Sequence, residues 1–226
     1  MTKQLSGPFI APKSGKTRFL VVLLHGYGSN GDDLISLGHE WAADLPDTAF
    51  VAPNAPDVCE IWSQGYQWFS IRAIDADTFE REKQAEKAAP AINKFLDEQL
   101  SHWGVSESHM VVGGFSQGAM MSMYTMPRRK TACAGVIGYS GMLIEPLALR
   151  EPQMVKMPIL AIHGDRDEVV PPSALGVIDE GFTAAGYNVE TVMRPGLGHG
   201  IDHFGLTRGL SFIKENFENA EKTTAA

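Results

Sequence analysis

Six short, mostly apolar runs alternate with stretches whose apolar residues recur at helical intervals, and this alternation constrains the fold more than any other feature of the chain. The first, Phe19-Leu20-Val21-Val22-Leu23-Leu24, is apolar in both alternate registers, so as a strand it must be covered on both faces. Further strands are predicted at 49–52, 110–113, 133–139, 158–162 and 189–193, with helices at 32–45, 117–126, 173–185 and 206–216. Ile92, Phe95, Leu96, Leu100 and Trp103 form the stripe of another helix, which Pro90 either starts or kinks. Strands buried on two sides and separated by helices predict an α/β architecture with a mostly parallel sheet. Its chemistry is then expected at the carboxyl ends of the strands.

A chain of 226 residues is expected to fold as one domain over 1–226, with residues 1–16 as an N-terminal extension and a polar tail over about 221–226. The charges over 80–87 read as a solvated face. A net charge of −8 argues against a general affinity for nucleic acid or anionic membranes. No run approaches the roughly 20 apolar residues that span a bilayer, so no stable membrane insertion is expected. Two cysteines make no disulfide framework and the first residues lack an apolar leader, which predicts a cytoplasmic protein. Cys59 stands among acidic residues and Cys133 in an apolar run, so neither is expected to react. A homodimer is left open.

The strand ends supply the candidates. Gly26-Tyr27-Gly28-Ser29-Asn30-Gly31 fits G-x-G-x-x-G after a strand, the context of a dinucleotide-binding turn. The acidic residue expected at the end of the next strand is absent, since Val51-Ala52-Pro53-Asn54 stands there. Gly114-Phe115-Ser116-Gln117-Gly118 matches G-x-S-x-G, in which a sharp strand-to-helix turn lifts a serine out of the sheet and small neighbours make room for it. The helix behind it aims its N–H groups where negative charge would develop. Ser140 also ends a strand but lacks the second glycine, and reads as structural.

A serine hydroxyl needs a base, and the base needs an acid to orient it. His163-Gly164-Asp165-Arg166-Asp167-Glu168 offers three carboxylates; Asp167 is the choice, with Asp165 shaping the turn and Glu168 bordering Val169-Val170. His199, in Gly198-His199-Gly200, suits the base. His199 and His203 do not form H-E-x-x-H, so no metal is expected. The chain order Ser116, Asp167, His199 is that of one established triad arrangement. A histidine base must be neutral, which predicts activity falling on acidification.

Together with Leu24-His25-Gly26-Tyr27-Gly28 and Gln67-Trp68-Phe69-Ser70, these motifs resemble, in order and over nearly the whole chain, the carboxylesterase/phospholipase family of α/β hydrolases, relatives of acyl-protein thioesterases. The resemblance implies an α/β-hydrolase fold without a large lid and a serine carboxylesterase acting on small-molecule esters of small to medium acyl chain, with no cofactor. Ser116 would be the nucleophile, Asp167 the orienting acid, His199 the base, and the N–H groups of Tyr27 and Gln117 the oxyanion hole. Acyl-protein thioesterase or lysophospholipase activity is the alternative within the family; a nucleotide-binding protein using 26–31 and a catalytically silent hydrolase fold are the alternatives outside it. Ser70 stands where much of the family has an aspartate, which puts the pocket edge in question. Trp68 and Phe69, on an aromatic-rich segment with Trp62, Tyr66 and Ile71, are expected to wall an acyl pocket together with Met142 and Leu143, whereas Met120, Met121, Met123 and Met126 fall at helical spacing and are expected in the core.

Overall fold

A computed structural model describes residues 3–70 and 78–224. Its main sheet has seven strands: β1 (Phe9–Ile10), β2 (Phe19–Leu24), β3 (Thr48–Val51), β6 (Met110–Phe115), β7 (Gly135–Tyr139), β8 (Ile159–Gly164) and β9 (Val189–Arg194), in the order β1-β3-β2-β6-β7-β8-β9. Every pairing is parallel except that of β1 with β3. A separate two-stranded ribbon, β4 (Asp57–Val58) with β5 (Tyr66–Gln67), lies outside this sheet.

The apolar run of β2 explains the layering. Leu20, Val22 and Leu24 enter one core, shared with helices α3 (Thr78–Trp103), α4 (Gln117–Thr125) and α5 (Ala174–Ala184). Phe19, Val21 and Leu23 enter the other, beneath α1 (Gly31–Leu34), α2 (Ser36–Trp41) and α6 (His203–Thr224). Each such side chain contributes roughly 1.5–3 kcal/mol by leaving water, and the period-two alternation divides the gain between both faces. Helix α4 is buried along its whole length, with the four methionines of 120–126 in the core.

The structure differs from the sequence-based expectation in several places. The segment 32–45 is two short helices: Asn30 caps α1 by accepting the Asp33 N–H at 2.9 Å, and the path turns at Ile35. Pro90 lies inside α3 on its exposed side, where water can satisfy the carbonyl one turn back. Helix α6 starts earlier than predicted because Asp202 accepts the Gly205 N–H at 2.8 Å, and it runs on past Phe217, which stacks on Phe19 with ring centroids 4.1 Å apart. No described helix is long and apolar enough to cross a membrane.

Candidate active site

Four adjacent parallel strands, β2, β6, β7 and β8, deliver consecutive loops to one rim of the sheet, and β9 adds the last. Ser116 follows β6 and adopts φ 52° and ψ −116°, a backbone region that side chains other than glycine seldom enter. The turn is held by the Ser116 N–H donating to the Tyr139 carbonyl at 2.8 Å, and by the Ser116 carbonyl accepting the first bond of α4 from Met120 at 3.0 Å. Ser116 sits at the cap position of α4, yet its hydroxyl makes no capping bond.

The two glycines flanking the serine are required by backbone proximity. A methyl group at Gly118 would lie 1.9 Å from the Leu24 carbonyl oxygen and 2.6 Å from that of His25; one at Gly114 would lie 2.3 Å from the Gly118 carbonyl carbon. Helix α4 is thereby seated directly on the end of β2. Ser140 also adopts positive φ, at 50°, although it lacks the second glycine, and its buried hydroxyl has no hydrogen-bond partner among the described residues.

The loop after β2 is fixed by a buried histidine. His25 accepts the Ala55 N–H on Nε2 at 3.0 Å, so Nδ1 carries the ring proton and donates it to the Gly26 carbonyl at 2.7 Å. Burial drives the pKa of this imidazole down to about 4, against the smaller opposing pull of the Gly26 carbonyl and of Asp33. Because C=O and N–H of a trans peptide point in opposite directions, pinning the Gly26 carbonyl aims the Tyr27 N–H away from the His25 ring. Gly26 itself has the Phe115 ring and the Ser116 Cβ as its nearest neighbours, 3.0 and 3.4 Å from where a methyl would stand. The Gln117 N–H belongs to the first turn of α4, whose donors have no partner within the helix.

The same loop shows what the G-x-G-x-x-G pattern does here. Gly28 donates to the Tyr66 carbonyl at 2.9 Å, Ser29 to Gly26, Gly31 to the Asn54 side chain at 2.7 Å and Asp33 to Asn30. These N–H groups are spent inside the protein, and the helix that follows has four residues, so the loop is not built to cradle a pyrophosphate.

Asp167 and His199 meet across two loops. His199 Nδ1 donates to Asp167 Oδ2 at 2.7 Å, and Asp167 Oδ1 accepts the N–H groups of Val169 and Val170, each at 2.9 Å. Burial raises the Asp167 pKa, but the His199 bond and the two N–H groups outweigh it and hold the carboxyl below its ordinary range. With its proton on Nδ1, His199 presents a lone pair on Nε2. Its ring lies against Phe115, centroids 4.8 Å apart, immediately before Ser116. Asp165 instead braces the histidine's loop by accepting the Gly196 N–H at 2.7 Å. His203 opens α6 and is exposed.

The four residues expected to wall a pocket divide. Met142 and Leu143 line a cavity of about 220 Å³ with Arg81, Ile144, Pro146, Ala174 and Val177. Trp68 and Phe69, each 2% exposed, do not reach it; they line a separate cavity of about 660 Å³ with Lys3, Asp57, Ser70 and Lys87, and pack their rings into the core. Gln117 is the reason. Its side chain accepts the Trp68 N–H at 2.8 Å and donates to the Phe69 carbonyl at 2.8 Å, while the Trp68 indole donates to the His25 carbonyl at 2.9 Å. The aromatic segment is a brace beneath the site. Ser70 bonds to Glu60 on the neighbouring ribbon at 2.9 Å; Ile71 lies outside the described residues.

Comparison with known proteins follows the same lines. The sequence profile described as phospholipase/carboxylesterase matches residues 5–217. The crystal structure of esterase PE8 superposes with a TM-score of 0.90 at 39% identity, covering 94% of this chain and 99% of that one. Acyl-protein thioesterase 1 of Schizosaccharomyces pombe is 30% identical over 182 residues, 76% of this chain and 78% of that protein. Its counterpart in Neurospora crassa is 28% identical over 206 residues, covering 85% and 84%. The chain is a serine hydrolase of the α/β-hydrolase fold and belongs to the phospholipase/carboxylesterase family.

Proposed function

We propose that this protein is a serine carboxylesterase in which Ser116 attacks an ester carbonyl, His199 takes the hydroxyl proton on Nε2, and Asp167 orients and stabilises the imidazolium. The observation that carries the reading is the strained turn at Ser116 with the Asp167-paired imidazole packed on the residue before it. The tetrahedral oxyanion is received by the N–H groups of Tyr27 and Gln117, a donor of this kind being worth about 2.7–4 kcal/mol in the transition state. His199 returns its proton to the departing alcohol, leaving Ser116 acylated. Water, deprotonated in turn by His199, then releases the acid.

The cavity beside Met142 and Leu143, about 220 Å³, is smaller than the roughly 300–1,000 Å³ typical of pockets for drug-sized ligands, which supports acyl groups of small to medium length. A panel of nitrophenyl esters from acetate to palmitate tests this, and best turnover on palmitate overturns it. A fluorophosphonate probe tests the nucleophile: the adduct is expected on Ser116, and a folded protein that takes up no label refutes the assignment. The acyl-protein thioesterases among the relatives favour a second reading, cleavage of protein thioesters by the same residues. We place the enzyme in the cytoplasm; two buried, unpaired cysteines support a reducing compartment.

A further inference from the structure

We propose that His163 is a positioning residue for the catalytic acid, a neutral hydrogen-bond donor that holds the Asp167 turn without sharing its charge as a cation would. The inference rests on the triad reading above and adds a residue to it. His163 lies in β8, two residues before Asp165, and its side chain is fully buried. Its Nε2 stands 3.0 Å from the Val170 carbonyl oxygen and 3.3 Å from Asp167 Oδ2. Both neighbours are acceptors, so the hydrogen must be on Nε2, with the carbonyl taking the aligned bond and the carboxylate lying beside it.

This closes a compact circuit. His163 holds the Val170 carbonyl, the Val170 and Val169 N–H groups hold Asp167 Oδ1, and the positive edge of the His163 ring lies against Oδ2, the oxygen that also receives His199. The carboxylate is therefore restrained on both oxygens against rotation about its side-chain bond.

The other ring nitrogen decides the charge. His163 Nδ1 is buried and has no hydrogen-bond partner among the described residues. A proton there would be a buried donor without an acceptor, on a ring already cut off from water, which is the costly arrangement. The pair at 3.3 Å is thus a dipole beside an anion. A cation at that place would compete with His199 for the carboxylate; a dipole steadies it and leaves its charge directed at the base.

The ionisable groups that face Asp167 are His199, from the loop after β9, and His163, with Ser116 supplied across the site by the elbow. Asp165, Arg166 and Glu168 on the same turn are exposed, Asp165 being tied to the Gly196 N–H. Arg194 on β9 pairs with Asp202 at 3.0 Å.

The test compares His163→Leu, which removes the donor, with His163→Gln, whose amide can place an N–H near the former Nε2. In His163→Leu, kcat on a nitrophenyl ester is expected to fall about tenfold with KM within about twofold, as when an orienting hydrogen bond behind a working group is removed. The acid limb of kcat/KM is expected to move up by about half a pH unit, because a carboxylate with one donor fewer stabilises the imidazolium more. His163→Gln should restore the limb and most of kcat. A folded His163→Leu with the wild-type pH profile, or a His163→Gln as impaired as His163→Leu, overturns the proposal. Should the leucine variant not fold, long-range ¹H–¹⁵N spectra of the wild-type protein decide: the proton on Nε2 is expected, and a proton on Nδ1 overturns the idea. Wild-type protein labelled at Ser116 but indifferent to His163→Leu defeats this inference alone, whereas absence of labelling defeats the triad reading.

Discussion

Acidifying the protein from pH 7 to pH 4 should unmask the cost of burying His25. Its folded-state pKa, lowered from 6.5 to about 4 chiefly by burial, means that the unfolded chain takes up a proton that the folded one refuses. The sign follows from linkage: this contribution to stability is complete above pH 6.5 and is lost as the pH falls towards 4. The gap is worth about 1.4 kcal/mol per pH unit, hence about 3 kcal/mol in all, most of it gone by pH 4.5. The structural counterpart is plain: protonated Nε2 would confront the Ala55 N–H that it now accepts from, and the loop bearing Tyr27 would loosen with it. Urea unfolding of the wild type and of His25→Asn at pH 7, 6, 5 and 4.5 measures the effect. The variant keeps an amide donor for the Gly26 carbonyl but has no titrating ring. Asp167, Glu190 and Asp202, all held below the ordinary carboxyl range, lose their contribution only further down in pH and cancel in the comparison. The stability gap between the two proteins should close by about 2.5 kcal/mol between pH 7 and 4.5. A gap constant to within about 0.5 kcal/mol would show that the His25 site admits a proton freely and refute the reasoning.

Four substitutions at three positions probe the rest of the site. Ser116→Ala should lower ester turnover on the order of 10⁶-fold with the fold intact, and Ser116→Gly should be the more stable of the two by about 1 kcal/mol in urea, because glycine accepts positive φ without strain. Gly118→Ala should yield no folded protein, since its methyl meets two main-chain carbonyls; a native circular dichroism spectrum would contradict that spacing. Gln117→Ala, although it retains the backbone N–H, strands the Trp68 N–H and the Phe69 carbonyl in the core and should cost about 2–6 kcal/mol of unfolding free energy; a loss below about 1 kcal/mol would argue that water replaces the amide.

What could be read from the sequence was whatever is decided by near neighbours. The strand β2 declared itself because an unbroken apolar hexapeptide has no polar face to expose, and the turn at Ser116 did so because its crowding is relieved by residues two positions away. Asp167 could be preferred over Asp165 on local grounds, and the structure brings Asp167 to His199. Beyond the Asp167–His199 pair, which motif order supplied, side chains whose partners lie 30 to 50 residues distant were not legible. His25 stood in the sequence only as one letter of a glycine-rich motif, yet its ring nitrogen reaches Ala55; Gln117 was valued for its main-chain N–H, yet its amide clamps Trp68 and Phe69. That clamp gives the aromatic pair a second role that the sequence did not disclose: Trp68 and Phe69 line a cavity, though not the one at Met142 and Leu143, and they also brace the site through hydrogen bonds to residues far along the chain. Helix limits failed where a single cap decides, as with Asp202 and α6.

The contact between Gly118 and the end of β2 has a bearing on how this enzyme could acquire new substrates. Where main chain rests on main chain at such short range, the serine and the loop that bears Tyr27 share one rigid mount, and neither can drift to suit a bulkier ester. Selection for altered preference should therefore leave that mount alone and accumulate changes around Met142, Leu143 and Val177, which line the neighbouring cavity.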